Sequence, residues 1–280
     1  MGNIRKLDQL LSALKHGYTI QKGADKTAPY YYAVKEQKQE GKKFCITLAG
    51  KTISIDSQYN EVYKLCRNYW SKAEPDIRIA VSEADIAYEL DEAEDEKTTY
   101  RNSYLETLAV YRKISEAMVD YDTFLMHGAV ISKDDAAYMF TAKSGTGKTT
   151  HINLWLDHLK DAYIVNGDKP LIRITEEEAI ACGTPWCGKE QLERNCMIPL
   201  RAIVFMERGD QNVMKEISYS EAFPFLLQQT YQPNDAEKMK KTLALLFKLK
   251  GKVRFYRFVF DNMKEDAFDV SYKMLTGGCV

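Results

Sequence analysis

The sequence predicts an α/β fold that follows a small α+β domain, and two observations predict it. An apolar run at residues 136–141 is followed by a glycine-rich loop and then by Ile152, Trp155, Leu156 and Leu159, which recur at the spacing of one helix face. Strand, loop and helix in this order are a typical unit of an α/β core. Residues 1–95 instead carry short β-like runs between helical patterns, which favours a separate α+β domain.

The loop after residue 141 has the composition of a phosphate-binding loop. Glycine lets backbone N–H groups converge on one anion, and the following helix directs the positive end of its dipole at the same point. Lys148 would reach the β- and γ-phosphates, and the Thr149 hydroxyl would bind Mg²⁺. The full pattern has glycine where this chain has Ala142, and a chance match in a surface loop is the alternative. The predicted nucleotide-binding residues are Ser144, Gly145, Thr146, Gly147, Lys148, Thr149 and Thr150.

An acidic residue follows the next apolar run. Residues 162–165 predict a strand, and Asp168 comes shortly after it, where a phosphate-loop protein places a metal contact or a group that activates the acceptor. The alternative is a surface turn before Pro170. His127 lies in the apolar run 124–131, which predicts a strand beside the strand of the glycine loop. A hydrogen-bonded core histidine is the alternative to a site residue.

Composition argues against several classes of partner. The chain has 280 residues, of which 45% are apolar and 28% charged, and its formal net charge is −1. We therefore expect no nucleic acid and no membrane as partner, because no basic field would attract either. No apolar stretch is long enough to span a membrane, and the polar N-terminus is not typical of a signal peptide. These features predict a cytoplasmic protein.

Cysteines and histidines do not form a zinc pattern in the sequence. Cys182, Cys187 and Cys196 form a cluster, but their spacing is wider than that of most zinc ligand pairs and no histidine follows them. Reduced, partly buried thiols are the better interpretation. His151 and His158 lie on the helix after the glycine loop, where core or solvated histidines are favoured over a metal site.

The first 95 residues predict a small domain with little recognisable chemistry. The link at residues 49–51 is typical of a hairpin turn, and the acidic run 89–97 is typical of an exposed linker. We expect this domain to serve oligomer contacts or substrate recognition, so a homo-oligomer is a hypothesis. The predicted helices are 1–14 and 61–70, and the predicted strands are 30–34, 44–48, 52–55 and 77–81.

Residues 100–280 predict a larger domain in which strands and helices alternate. A strand and a hairpin precede the strand of the glycine loop, which is unusual for phosphate-loop switches and transporters. The remaining strands are predicted at 171–174, 202–206 and 253–260. Helices are predicted at 103–119, 220–229, 235–248 and 266–275.

Four motifs together resemble the HPr kinase/phosphorylase family, and especially the HPr-kinase-like proteins described as relatives of phosphoenolpyruvate carboxykinase. The similarity covers residues 100–275 and does not extend to residues 1–95. The motifs are His127-Gly128, Ser144-Gly145-Thr146-Gly147-Lys148-Thr149-Thr150-His151, Asp168-Lys169-Pro170 and Gly183-Thr184-Pro185-Trp186-Cys187-Gly188-Lys189.

The resemblance implies a phosphate-loop kinase core with a mixed sheet, ATP with Mg²⁺, and phosphoryl transfer to a hydroxyl. The acceptor would be a serine of a peptide or protein, or a small hydroxylated metabolite. HPr kinases carry two adjacent aspartates where this chain has Gly167 and Asp168, and residues 183–196 lack their Gly-Leu-Gly signature. A lyase similar to phosphoenolpyruvate carboxykinase and a non-catalytic nucleotide-binding module are therefore the alternatives.

The same resemblance gives roles to individual residues. Asp168 would orient or deprotonate the acceptor hydroxyl, or bind Mg²⁺, and His127 would point at the site. Lys148 would stabilise charge on the transferring group. Candidates for further phosphate or substrate contacts are Lys189, Arg194 and Arg201, with Trp186 packing either over the substrate or in the protein interior.

Overall fold

The structure is a computed structural model that describes residues 18–23, 30–35, 41–92, 100–143, 145–188, 191–261 and 266–278. The chain divides into two compact units, residues 1–114 and 115–280. The predicted helix 1–14 and most of the acidic run lie outside the described residues. The domain bounds inferred from the sequence, 1–95 and 100–280, stay a prediction.

The first unit contains a hairpin and a four-stranded sheet. Strands β1 and β2 pair antiparallel, and the sheet has the strand order β5-β3-β4-β6. The predicted turn between β3 and β4 is present, with left-handed φ values of 47° at Ala49 and 73° at Gly50. The strands are β1 (Tyr18–Gly23), β2 (Tyr30–Lys35), β3 (Lys43–Leu48), β4 (Lys51–Asp56), β5 (Trp70–Ser71) and β6 (Ile77–Ala80). The helices are α1 (Asn60–Leu65), α2 (Glu83–Asp91) and α3 (Asn102–Met118), whose last turn belongs to the second unit.

Two expectations for the first unit are wrong in detail. The helix predicted over 61–70 ends at Leu65, a 3₁₀ turn follows, and Trp70 already belongs to β5. The start of the acidic run is helical rather than a linker, because α2 extends to Asp91. A capping box at Ser82 and Asp85 starts that helix, a signal of the Ser-x-x-acid type that precedes its apolar residues.

The second unit is built on a mixed sheet with helices on both faces. This confirms the α/β class at the coarse level, while the finer kinase-core assignment stays a proposal. The strands are β7 (Thr123–Leu125), β8 (Ala129–Lys133), β9 (Ala136–Thr141), β10 (Tyr163–Asn166), β11 (Leu171–Ile174), β12 (Ala179–Cys182), β13 (Met197–Arg208), β14 (Val213–Ile217) and β15 (Arg254–Phe260). The helices are α4 (Lys148–His158), α5 (Tyr219–Gln229), α6 (Ala236–Lys248) and α7 (Ala267–Thr276).

Three parallel strands determine where the glycine loop lies. The long strand β13 pairs in parallel with β9 on one side and β15 on the other. Their carboxyl ends, at Thr141, Arg208 and Phe260, therefore share one edge of the sheet. Open α/β sheets bind ligands outside the carboxyl ends of their strands. The loop after β9 emerges at this edge.

The single strand predicted over residues 124–131 is wrong. The chain forms two short strands, because β7 pairs with β11 whereas β8 pairs with β9 and β10. His127 lies in the break between them, and its N–H donates to the carbonyl oxygen of Gln229 at 2.7 Å. Glycine fits at position 128 because a Cβ there would lie 2.5 Å from the Met139 methyl group.

Apolar residues on the two sheet faces form two buried clusters. On one face α4 and α7 pack through Trp155 and Phe268, and on the other α5 and α6 pack through Leu226 and Leu246. Neighbouring residues of β13 alternate between the two clusters, as expected for a strand that is covered on both sides. Among the described residues, no helix is long and apolar enough to cross a membrane.

Candidate functional site

A cavity of about 560 Å³ in the second unit brings the glycine loop together with Asp168 and His127. The loop after β9, the break before β8, the turn after β10 and the end of β13 all contribute to it. These segments are distant in sequence and meet because of the strand order of the sheet. The lining residues that carry polar or backbone groups of interest are His127, Gly145, Gly147, Lys148, Thr149, Thr150, Gly167, Asp168, Cys187, Gly188 and Arg208.

The glycine loop, residues 142–149, has the backbone that its composition predicts. Gly145 and Gly147 have φ values of 75° and 113°, which side-chain-bearing residues rarely adopt. Gly147 precedes α4 directly, so the first N–H groups of that helix, which have no acceptor within the helix, start at the cavity. Such a helix start attracts anions. Ser144 lies outside the described residues.

Two cations contact carbonyl oxygens of the glycine loop. The Lys148 ammonium donates to the Ala142 carbonyl at 2.9 Å. Burial lowers the pKa of Lys148, and the charge of Asp168 partly opposes that shift. Arg208 donates from Nε to the Thr146 carbonyl at 3.0 Å and from Nη2 to the Gly145 carbonyl at 2.7 Å. Ala142 contacts Lys148 through its carbonyl oxygen, while its methyl group is buried in the apolar cluster on the α4 face, so alanine is compatible with the loop.

Asp168 has two basic neighbours. Its Oδ1 lies 3.2 Å from His127 Nε2, and its other oxygen accepts from the Lys169 ammonium. Burial tends to raise the pKa of Asp168, but the hydrogen bond from His127 and the charge and hydrogen bond of Lys169 outweigh it and hold that pKa at about 2. The carboxylate is therefore ionised at neutral pH, as a metal contact or an orienting acceptor requires.

His127 is held through both its ring and its backbone. Its Nδ1 lies 3.1 Å from Gln229 Oε1, and its carbonyl oxygen accepts from the Thr141 hydroxyl at 2.7 Å. Gln229 Oε1 also lies 3.3 Å from the Thr141 hydroxyl. The half-buried ring is thus held with Nε2 toward Asp168. Gln229 is 102 residues away in sequence and was not predicted.

Asn166 positions the backbone of Asp168. Its fully buried side chain accepts from the N–H groups of Asp168 and Lys169 at 2.9 and 2.7 Å. It donates to the Thr184 carbonyl and hydroxyl oxygens, each at 3.0 Å. The Thr184 hydroxyl in turn donates to the Lys169 carbonyl at 2.8 Å. Thr184, in the motif at residues 183–186, therefore helps to hold the turn that contains Asp168 through its hydrogen bonds to Asn166 and Lys169.

The structure gives a steric reason for Gly167. A Cβ at this position would lie 2.7 Å from the Cys187 carbonyl oxygen, so an aspartate requires the backbone to move. Gly188, with a φ of 84°, packs against Asp168, and a Cβ there would lie 3.3 Å from the Asp168 Cβ. Of residues 167 and 168, only one therefore supplies a carboxylate.

Several other predicted contacts do not reach this cavity. The Arg194 guanidinium lies 3.9 Å from the centre of the Tyr163 ring, and Arg201 lies 3.6 Å from Glu178. Arg201 precedes Arg208 by seven residues on β13, roughly 23 Å along a strand. Trp186 is 6% exposed, and its carbonyl lies 3.5 Å from Asn166 Nδ2, which agrees with packing. Lys189 lies outside the described residues.

Thiols and the other histidines have structural surroundings. Burial raises the pKa of Cys187, which lines the cavity, to about 11, and that of Cys182 to about 12, so both thiols stay protonated. His151 is buried between the Phe140 and Phe258 rings, and His158 stacks on Phe268 at 4.4 Å. Within the part of the chain that the structure describes, no three such metal-binding side chains cluster.

Arg208 is another residue of this site that sequence reasoning missed, besides Gln229 and Asn166. It follows the apolar run of β13, and a basic residue at the carboxyl end of a strand parallel to β9 is the signal that points to it. From the sequence alone, where the pairing of β9 with β13 is unknown, Arg208 cannot be distinguished from other charged residues at the ends of strands. Its two bonds to the glycine loop depend on that pairing.

Comparisons with known proteins give little beyond this geometry. No protein-family model matches the chain, and no curated protein matches it either. Among solved structures, it is similar to the HPr(Ser) kinase/phosphatase from Coxiella burnetii, with 9% identity and a TM-score of 0.32, over 55% of this chain and 99% of that one. This is a weak structural relationship, and we draw no conclusion from it.

Proposed function

We propose that this protein is an ATP-dependent phosphotransferase that uses Mg²⁺ and moves the γ-phosphoryl group to a hydroxyl. The observation that carries the proposal is the convergence, in one cavity, of the glycine loop and the Asp168–His127 pair. A phosphate loop alone indicates nucleotide binding. An ionised carboxylate in the same cavity adds the group that a hydroxyl acceptor needs.

The residues present fit a nucleotide with its metal. The left-handed φ values of Gly145 and Gly147 allow N–H groups to turn toward one anion, and α4 begins directly after Gly147. Mg²⁺ prefers oxygen ligands and takes few of them from protein, the rest being phosphate and water. The Thr149 hydroxyl and the Asp168 carboxylate line the same cavity and supply such oxygens. When bound, Mg²⁺ would neutralise charge on the β- and γ-phosphate oxygens.

The proposed reaction needs little covalent chemistry from the protein. The acceptor oxygen forms a bond to the γ-phosphorus, the bond from that phosphorus to the β–γ bridging oxygen breaks, and its electron pair leaves with ADP. Lys148 stabilises negative charge on the transferring group. Asp168 orients the acceptor hydroxyl and takes its proton, and His127 holds the carboxylate through the 3.2 Å contact. A carboxylate with a pKa of about 2 is a weak base, so its main role is orientation.

The first experiment separates binding from transfer. Binding of the non-hydrolysable analogue AMP-PNP with Mg²⁺ is measured by calorimetry, and ADP release is measured across serine peptides and small hydroxylated compounds. Lys148→Ala should lower acceptor-dependent ADP release by about 100-fold or more, because it removes charge stabilisation at the transferring group. Lys160→Ala, a change at an exposed lysine beyond α4, is the matched control and should behave as wild type.

Each alternative has its own result. Phosphotransfer that survives Lys148→Ala would contradict the proposal. Release of CO₂ from oxaloacetate with ATP would indicate a lyase. Tight AMP-PNP binding without turnover on any acceptor, unaltered by Asp168→Asn, would indicate a regulatory module.

A further inference from the structure

A second cavity, of about 470 Å³, adjoins the glycine loop and plays no part in the mechanism above. It opens beside Ala142 and Lys143, at the carboxyl ends of β9 and β13 and the end of α5. Its wall combines apolar residues, among them two phenylalanines and a methionine, with two glutamines and the charged residues Lys143, Glu207 and Arg208. The residues that matter here are Ala142, Lys143, Phe205, Phe225, Gln228 and Gln229.

The second cavity adjoins the first through one shared residue and through a chain of side-chain contacts. Arg208 lines both of them. Gln229 lines the second cavity, and its Oε1 lies 3.1 Å from Nδ1 of His127, whose Nε2 contacts Asp168. Two side chains, His127 and Gln229, therefore separate a hydroxyl bound at Asp168 from the second cavity.

The chemistry of the wall favours an apolar group. The rings of Phe205 and Phe225 lie 5.3 Å apart at 34°, and Phe205 is buried. A sugar or other polyol would leave hydroxyls without partners against these rings, at a cost of some kcal/mol for each one. The one carboxylate of the wall, that of Glu207, is paired with Arg257 at 3.0 Å. The exposed amide of Gln228 matches peptide N–H and C=O groups.

The nucleotide base is the competing occupant, and the glycine loop argues against it. Lys148 belongs at the β- and γ-phosphates, and its ammonium lies 2.9 Å from the carbonyl of Ala142, which lines the second cavity. Thr150, two residues after Lys148 in α4, lines the first cavity and also a third cavity of about 350 Å³ beside Phe260. A nucleotide with its terminal phosphates at Lys148 would therefore have those phosphates nearer the second cavity and its base nearer the third.

We propose that the second cavity is an acceptor subsite, which takes an apolar side chain of aromatic size next to the phosphorylated serine of a peptide. This inference rests on the proposed function and adds the recognition of the acceptor. Burial of one such side chain favours the correct acceptor by about tenfold or more over one with alanine in its place.

The test is a positional scan with serine-centred peptides and ATP labelled in the γ-phosphate. Wild type should transfer label about tenfold better when one flanking position is Phe, Tyr, Trp or Leu than when it is Ala. Phe225→Trp fills part of the cavity and should shift that position toward small residues. Gln228→Arg, at an exposed rim residue, should shift it toward Asp and Glu without disturbing the interior.

Two controls keep the test specific. Phe247→Trp changes an aromatic residue that is 60% exposed and lines neither cavity, so the scan should match that of wild type. The affinities for AMP-PNP and for inorganic tripolyphosphate should be the same in wild type, Phe225→Trp and Gln228→Arg. An effect of Phe225→Trp on AMP-PNP alone would assign the cavity to the base and overturn the inference.

The remaining outcomes separate the inference from the function on which it rests. Serine labelling that is indifferent to the flanking residues would overturn the subsite and keep the kinase. Labelling of a small hydroxylated compound but of no peptide would overturn the peptide acceptor and also keep the kinase. If wild type does not bind AMP-PNP at all, the proposed function fails, and the subsite with it.

Discussion

Asn166→Ala should destabilise the second unit by about 3 kcal/mol. The substitution removes the oxygen that accepts from the backbone N–H groups of Asp168 and Lys169, and the amide that donates to Thr184. Each buried polar group left without a partner costs roughly 1–3 kcal/mol, and water that enters the space recovers part of the sum. Asp168 loses its anchor as well, so acceptor-dependent turnover should fall by about 100-fold.

The assay is urea unfolding followed by the fluorescence of Trp155 and Trp186, both buried in this unit. Asn212→Ala is the matched control, because that side chain also makes two hydrogen bonds, at 2.6 and 2.7 Å, but near the surface. It should cost about 1 kcal/mol or less. Equal losses for the two variants would refute the claim that Asn166 holds the Asp168 turn.

Two further changes, one next to Asp168 and one in the first unit, are also tested by urea unfolding. Gly167→Ala should lower the free energy of unfolding by about 1–3 kcal/mol, because its Cβ would lie 2.7 Å from the Cys187 carbonyl oxygen. An unchanged midpoint of unfolding would show that the backbone moves apart at this position without a cost. In the first unit, burial raises the pKa of Glu106 to about 7. The hydrogen bonds from the Gln58 and Tyr59 N–H groups lower that pKa, but by less than burial raises it. Because the pKa of Glu106 is higher in the folded protein than its ordinary value of 4.5, the stability that Glu106 contributes is fully present below pH 4.5. That stability falls by about 3 kcal/mol as the pH rises from there through 7. Glu106→Gln should flatten this pH dependence, and an identical slope in both proteins would exclude Glu106 as its source.

Local patterns predicted the central unit of the fold accurately. The apolar run at 136–141 is β9, and the helix after the glycine loop is α4, which ends one residue before Leu159. These predictions succeeded because the spacing of apolar residues and the positions of glycines determine backbone conformation within a single strand, loop or helix. The predicted strand through His127 failed, because the chain changes its strand partners at Gly128, and no local pattern reports on pairing.

The residues of the candidate site divide in the same way. Lys148, Thr149 and Asp168 lie in or next to recognisable motifs and line one cavity. Arg208 lies 63 residues from the Gly145 carbonyl that it contacts. Such contacts depend on the order of the strands in the sheet, which neither the composition of the sequence nor its hydrophobic periodicity predicts. The phosphate-site roles of all these residues stay predictions.

By itself, the sequence determined the strand, the left-handed glycines and the helix start of the loop, since these depend on residues that are neighbours in the chain. Only the tertiary structure decided that His127, Asp168 and Arg208 surround that loop, and that Phe205, Phe225 and Gln229 form a second cavity beside it. The reason is physical. Parallel pairing of β9 and β13 brings their carboxyl ends to one edge, and long-range packing places α5 there.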